Sequence, residues 1–145
     1  MPATKVVVNV PGEDAYDVRI GAGILDSLGA HLRRVPALER TERALVVTDA
    51  NVAPLYRDAA KASLAEGGFR ASDIVVPAGE DAKSEAVAAE VWDAMAQLSL
   101  GRDCVVVALG GGVVGDLAGF VASAYMRGGP VVQEPPALQS MVESS

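Results

Sequence analysis

Residues 104 to 129 read CVVVALGGGVVGDLAGFVASAYMRGG: an apolar run, three consecutive glycines, then a second apolar run with an acid near its start. A Val-rich run that enters a glycine patch and leaves as a longer apolar segment is a strand–turn–helix unit. Gly110, Gly112 and Gly115 match G-x-G-x-x-G. In that context the backbone can approach a pyrophosphate, because no Cβ intervenes and the following helix offers free N–H groups and the positive end of its dipole. The same glycines also suit a tight turn that only packs helix against sheet, and the spacing does not choose between the two.

Two upstream segments repeat the theme. RALVVTDANVAPLYRDAAKASLAEGG, from Arg43, gives a strand over Ala44 to Val47, a polar turn, a helix start near Pro54 and a C-terminal cap at Gly67. DIVVPAGEDAKSEAVAAEVWDAMAQLSLG, from Asp73, gives a strand over Ile74 to Val76 and then a helix N-capped by Ser84. Its Val87, Val91, Met95 and Leu98 share one face. Val6 to Val10 and Tyr16 to Ile20 form a hairpin around Pro11 and Gly12, and Ile24 to Val35 is helical until Pro36 stops it. Val131 to Gln133 is a further candidate strand.

Strands that are apolar without alternation, each followed by a helix, require a mostly parallel sheet covered on both faces. The expected class is therefore α/β, a doubly wound sheet with an N-terminal β-hairpin, in one domain spanning 1–145. At 145 residues the chain is long enough to bury a core.

Half of the residues are hydrophobic and 21% are charged, so the chain is expected to fold and not to be disordered. A formal charge of −7 argues against a nucleic-acid or anionic-membrane surface. The adjacent pair Arg33 and Arg34 reads as a solvated helix end. With one cysteine, Cys104, there is no internal disulfide to form, and a small buried hydrophobe in a reducing cytoplasm is expected. The one histidine, His31, reads as a surface or capping residue, and no metal is assigned to this chain. No apolar stretch reaches 18 residues and the N-terminus lacks a signal-peptide core, so a soluble protein is expected.

In a doubly wound sheet, ligands sit outside the carboxyl ends of the strands. That rule selects three turns: TDAN (Thr48 to Asn51), PAGEDAK (Pro77 to Lys83) and GGGVVGD (Gly110 to Asp116). Asp116 suits ribose hydroxyls or capping of its own helix, since a carboxylate beside a pyrophosphate is repulsive. Glu134 lies where a fingerprint would place a ribose acid, but two βα units precede the glycines, which makes Asp49 the better choice. Glu80 with Lys83 is either a ribose and phosphate contact or an exposed charged pair. Arg127 is either a dipole partner at its helix end or an anion ligand.

Taken together, DAN at 49–51, GEDAKS at 79–84, ALGGGVVGDLAGFVASAYMRG at 108–128 and VQEP at 132–135 resemble the N-terminal half of the 3-dehydroquinate synthase family, one of the sugar-phosphate cyclases. The resemblance implies a Rossmann-like, NAD-binding domain of a cytoplasmic lyase of the shikimate pathway. The family's enzyme converts 3-deoxy-D-arabino-heptulosonate 7-phosphate to 3-dehydroquinate with release of phosphate. Residue by residue, it implies Asp49 and Asn51 near the adenosine end of NAD, Glu80 and Lys83 on a ribose, and Gly111, Gly112 and Val113 along the pyrophosphate. Asp116 would lie by the nicotinamide half, and Arg127 and Glu143 by the phosphorylated sugar acid.

Four departures accompany it. Pro136 and Ala137 stand where the family has two threonines, Glu134 where it has an apolar residue, which tells against a ribose role for it, and Glu143 where it has an aspartate. The sequence stops at Ser145, before the family's helical second domain, in which a zinc or cobalt ion and the catalytic lysines are expected. This chain is accordingly expected to supply the cofactor half and not the whole reaction. Its apolar helix after the glycine turn, left uncovered, is expected to drive self-association or dimerisation. Two other readings stay open: a non-catalytic NAD-binding remnant, and an NAD(P)-dependent polyol dehydrogenase-like domain.

Overall fold

The computed structural model describes residues 4–9, 16–20, 25–100 and 104–126. Five strands form one sheet: β1 (Thr4–Asn9), β2 (Tyr16–Ile20), β3 (Arg43–Asp49), β4 (Arg70–Val76) and β5 (Cys104–Gly110). Their spatial order is β2-β1-β5-β3-β4. β5, β3 and β4 run parallel, and the antiparallel hairpin β1–β2 joins the other side of β5. The expected class is therefore the observed one, a Rossmann-like α/β sheet with an N-terminal hairpin. Val131 to Gln133, the further strand expected from the sequence, lies outside the described residues.

The helices α1 (Leu28–Arg33), α2 (Ala53–Glu66), α3 (Glu85–Gln97) and α4 (Gly112–Met126) cover both faces. Val105, Val107 and Leu109 pack with Leu28, Leu32 and Leu64 on one face. Val106 and Ala108 pack with Val91, Met95, Leu117 and Val121 on the other. Because β5 is central and covered on both sides, all seven of its residues are buried, which is why its sequence is apolar without alternation.

β4 is longer than expected, since polar Arg70, Ser72 and Asp73 belong to it. An edge strand tolerates them, and Asp73 Oδ1 accepts a hydrogen bond from Lys61 Nζ of α2 at 2.6 Å. The helix around Ile24 to Val35 is a 3₁₀ turn, Leu25–Ser27, followed by α1. Pro36 does end it, but opens a second 3₁₀ turn, Pro36–Leu38, at whose first position a missing N–H costs nothing.

Two expectations are corrected. Leu98 does not share the buried face of Val87, Val91 and Met95; it caps α3 and is exposed, while Leu100 returns to the core. Ser99 between them adopts φ +56, so the helix ends in a left-handed residue that is not glycine. Arg33 is no solvated helix end. Its Nε donates to the Gly67 carbonyl at 2.6 Å, its Nη1 donates to that of Leu38 at 2.8 Å, and its guanidinium lies 3.8 Å from the centre of the Phe69 ring. The planar fork thus satisfies the carbonyl that α2 leaves open at its cap, Gly67, and the carbonyl of Leu38 at the end of the second 3₁₀ turn. At that end Gly67 is the cap residue with a right-handed φ of −79, and the left-handed turn falls on Gly68, φ +90. Cys104 is fully buried and His31 is exposed, its Nδ1 3.0 Å from the Ser27 carbonyl, as the sequence suggested.

Candidate functional site

The carboxyl ends of the parallel strands β5, β3 and β4 lie side by side, so the three turns that follow them share one edge. Asp49 ends β3 in register with Val76 of β4, and the Ala50 N–H donates to the Val76 carbonyl at 3.1 Å. Thr48, which the sequence reading left inside a polar turn, is fully buried and donates from Oγ1 to the Leu109 carbonyl at 2.8 Å. It locks β3 to β5 one residue before the glycines. A threonine closing an apolar strand is the only signal that pointed to it.

Asp49 is 8% exposed. Its Oδ1 accepts from the N–H groups of Asn51 at 2.8 Å and Val52 at 2.9 Å, at the N-terminal approach to α2. Its Oδ2 faces Gly110: a Cβ built on that glycine would lie 3.4 Å from Oδ2 and 3.2 Å from Val114 Cγ2. The first glycine of the patch therefore makes room for the carboxylate and for the first turn of α4. Asn51 itself is exposed.

Among the described residues, a Cβ on Gly111 or Gly112 would meet no atom within 4 Å beyond its chain neighbours and its own helix. The described residues thus leave room beside these two glycines at the start of α4, where backbone N–H groups lack helical partners. Val113 is half-buried against the core on the α3–α4 face. Asp116 lies beyond the first turn of α4 and is exposed. Helix capping by Asp116, one of the two roles open from the sequence, is therefore ruled out by its position.

The second turn, the 3₁₀ segment Gly79–Ala82, opens on Gly79 with φ +73, a conformation that other side chains adopt at a cost. Beyond it, Ser84 caps α3 as expected, its Oγ accepting from the Val87 N–H at 3.1 Å. Glu80 and Lys83 are not an exposed pair. The Glu80 side chain is 75% exposed, whereas that of Lys83 is 2% exposed. Among the described residues Lys83 Nζ has no hydrogen-bond partner, and the Glu80 Oε2 lies 3.9 Å away. A buried ammonium carries three donors and a charge that need oxygen partners.

Arg127 and Glu143, expected near a sugar phosphate, lie outside the described residues, as do Glu134, Pro136 and Ala137. Among the described residues no group of three or more His, Cys, Asp or Glu is placed to hold a metal ion. No helix among them is long and apolar enough to cross a membrane.

A buried, unpartnered cation and an open glycine turn on the carboxyl edge of a parallel sheet define the class: a Rossmann-like α/β domain. The family model of the 3-dehydroquinate synthase N-terminal domain matches residues 73–145, half of the chain. The chain belongs to the 3-dehydroquinate synthase family. It is 52% identical over 134 residues to the 3-dehydroquinate synthase of Symbiobacterium thermophilum, which covers 92% of this chain and 37% of that protein. It is 44% identical to the 3-dehydroquinate synthase of Rhizobium rhizogenes, over 99% of this chain and 37% of the relative. A 2-epi-valiolone synthase of Stigmatella aurantiaca is 41% identical over 95% of this chain and 34% of its own length. The chain thus spans little more than a third of the curated relatives it matches.

Proposed function

We propose that this chain is the NAD-binding part of a 3-dehydroquinate synthase, an enzyme that converts 3-deoxy-D-arabino-heptulosonate 7-phosphate to 3-dehydroquinate and releases phosphate. The observation that carries the reading is Lys83 Nζ, buried without a hydrogen-bond partner among the described residues, at the end of the turn Gly79–Ala82 on the carboxyl edge of the sheet. The donor set fits a dinucleotide: a cation and free helix-terminal N–H groups for phosphate oxygens, and carboxylates for ribose hydroxyls.

Bound NAD would supply a reversible hydride acceptor during turnover. In this reading, Gly111, Gly112 and Val113 hold the pyrophosphate through backbone N–H groups, and the missing side chains let it approach. Lys83 donates to a ribose or phosphate oxygen, and exposed Glu80 accepts from a hydroxyl beside it. Asp49 and Asn51 orient the adenosine end, and Asp116 lies toward the nicotinamide. Arg127 and Glu143 contact the phosphorylated sugar acid. Domain closure by the rest of the protein would exclude water, and any zinc or cobalt ion would bind there.

Calorimetric titration of the complete protein with NAD tests the cofactor reading, with binding expected and its absence decisive against it. Phosphate release by the complete protein from the heptulosonate phosphate tests the reaction. The similarity to a 2-epi-valiolone synthase favours a second reading, a cyclase of the same kind acting on another sugar phosphate. Preference of the complete protein for a different phosphorylated sugar would establish it.

A further inference from the structure

We propose that Thr48 is a positioning residue for the dinucleotide: its hydroxyl, bonded to the Leu109 carbonyl, fixes the direction in which the glycine turn presents its N–H groups. The inference rests on the dinucleotide reading above and adds a residue that acts on the cofactor without touching it, since Thr48 is fully buried.

Ala44 and Val46, which share a face of β3 with Thr48, are apolar and fully buried. A valine at position 48 would continue that pattern and fill the same space, whereas a buried hydroxyl costs stability unless it is bonded. The bond it makes falls where β5 parts from β3. Pairing of β3 with β5 ends at Thr48 and Leu109, while pairing with β4 runs one residue further, to Asp49 and Val76. The Thr48 hydroxyl therefore adds a side-chain rung, 2.8 Å long, at the last residue pair before the turn.

Only Gly110 separates the anchored Leu109 carbonyl from Gly111, whose own carbonyl accepts from the Gly115 N–H at 3.1 Å as α4 begins. Gly111 and Gly112 have no side chains with which to hold a conformation, and glycine loses more freedom on ordering than any other residue. The turn is thus held from its flanks: by Thr48 at the Leu109 end, and by Val114 and the Asp49 carboxylate, which close on Gly110. A turn ordered before the ligand arrives binds it more tightly, because ordering then takes nothing from the binding free energy.

The test is calorimetric titration of the complete protein with NAD, in wild type, Thr48→Val and Thr48→Ser, beside urea unfolding and the KM for NAD in phosphate release. Valine keeps the shape and removes the hydroxyl; serine keeps the hydroxyl and removes a methyl. Thr48→Val is expected to weaken NAD binding at least roughly fivefold, with the change in KM and not in kcat. Thr48→Ser is expected to bind NAD within about twofold of wild type while unfolding at lower urea, as loss of a buried methyl requires. Equal affinity of wild type and Thr48→Val overturns the inference. A folded Thr48→Ser protein that loses NAD affinity also overturns it, because packing and not the hydroxyl would then be at work. If Thr48→Val does not fold, the serine variant decides: affinity kept at lowered stability supports the inference, and affinity lost overturns it. Failure of wild type to bind NAD removes the dinucleotide reading and this inference together.

Discussion

Lys83 Nζ and Glu80 Oε2 stand 3.9 Å apart across one turn, yet the lysine side chain is 2% exposed and the glutamate 75%. The pair is lopsided: the glutamate is solvated, and the ammonium is buried without a hydrogen bond to any of the described residues. At that separation and with one partner in water, Glu80 offsets little of the cost of burying the charge.

Replacing Lys83 by Met should therefore leave the stability of the free chain unchanged or raise it, since an apolar isostere removes an unpaired buried charge. The same change should weaken NAD binding about 10- to 100-fold, the value of a lost charge-assisted hydrogen bond of about 1.5–3 kcal/mol. Urea unfolding and calorimetric titration read the two effects separately. A large loss of stability with unchanged affinity would make Lys83 a structural residue.

Gly112→Ala separates cradle from packing. Among the described residues a Cβ at this position meets nothing within 4 Å, and its φ is not left-handed. The folded chain should be as stable as wild type, or up to about 1 kcal/mol more stable, because alanine is the better helix former. NAD affinity should nevertheless fall at least roughly tenfold as the methyl takes space meant for phosphate oxygens. Titration of a variant whose unfolding curve is normal decides whether the pyrophosphate passes here.

Gly29 and Gly67 predict the opposite behaviour on the far side of the sheet edge. A Cβ on Gly29 would stand 2.1 Å from the Ser63 carbonyl oxygen, and one on Gly67 would stand 2.7 Å from that of Gly29. Backbone cannot yield as a side chain can, so α1 and α2 would separate and the hydrogen bond from Gly29 N–H to Ser63 Oγ, 3.1 Å, would be lost. Gly29→Ala should cost about 2–3 kcal/mol in urea unfolding. A cost near zero would mean the helices do not meet so closely.

Ser99→Gly should stabilise the chain. Ser99 holds φ +56 at the end of α3, where the Leu100 N–H returns to the Met95 carbonyl at 3.0 Å. Glycine adopts that conformation without the Cβ penalty, for a gain of about 0.5–1 kcal/mol after its larger unfolded-state entropy is counted. A rise in thermal midpoint of a few degrees is the expected reading.

The sequence by itself determined the alternation of strands and helices, the doubly wound class, the cap at Ser84, the helix start near Pro54, and which three turns line the carboxyl edge of the sheet. Those features are local or periodic: an apolar run of strand length, a 3.6-residue stripe and a glycine patch each act on their immediate neighbours. The motifs around Asp49, Glu80, Lys83 and the glycines were legible for the same reason. Only the tertiary structure decided what those groups can do, because burial and partners depend on segments distant in the chain. It buried Lys83 and left Glu80 in water, turned Asp49 Oδ2 toward Gly110, far along the chain, and drew Arg33 from an assumed surface onto the carbonyl of Gly67. It also added polar Arg70 to Asp73 to an edge strand, where a neighbour on one side only relaxes the demand for apolar residues. Composition and spacing name the groups; the packing of remote elements sets their charge environment, and with it their chemistry.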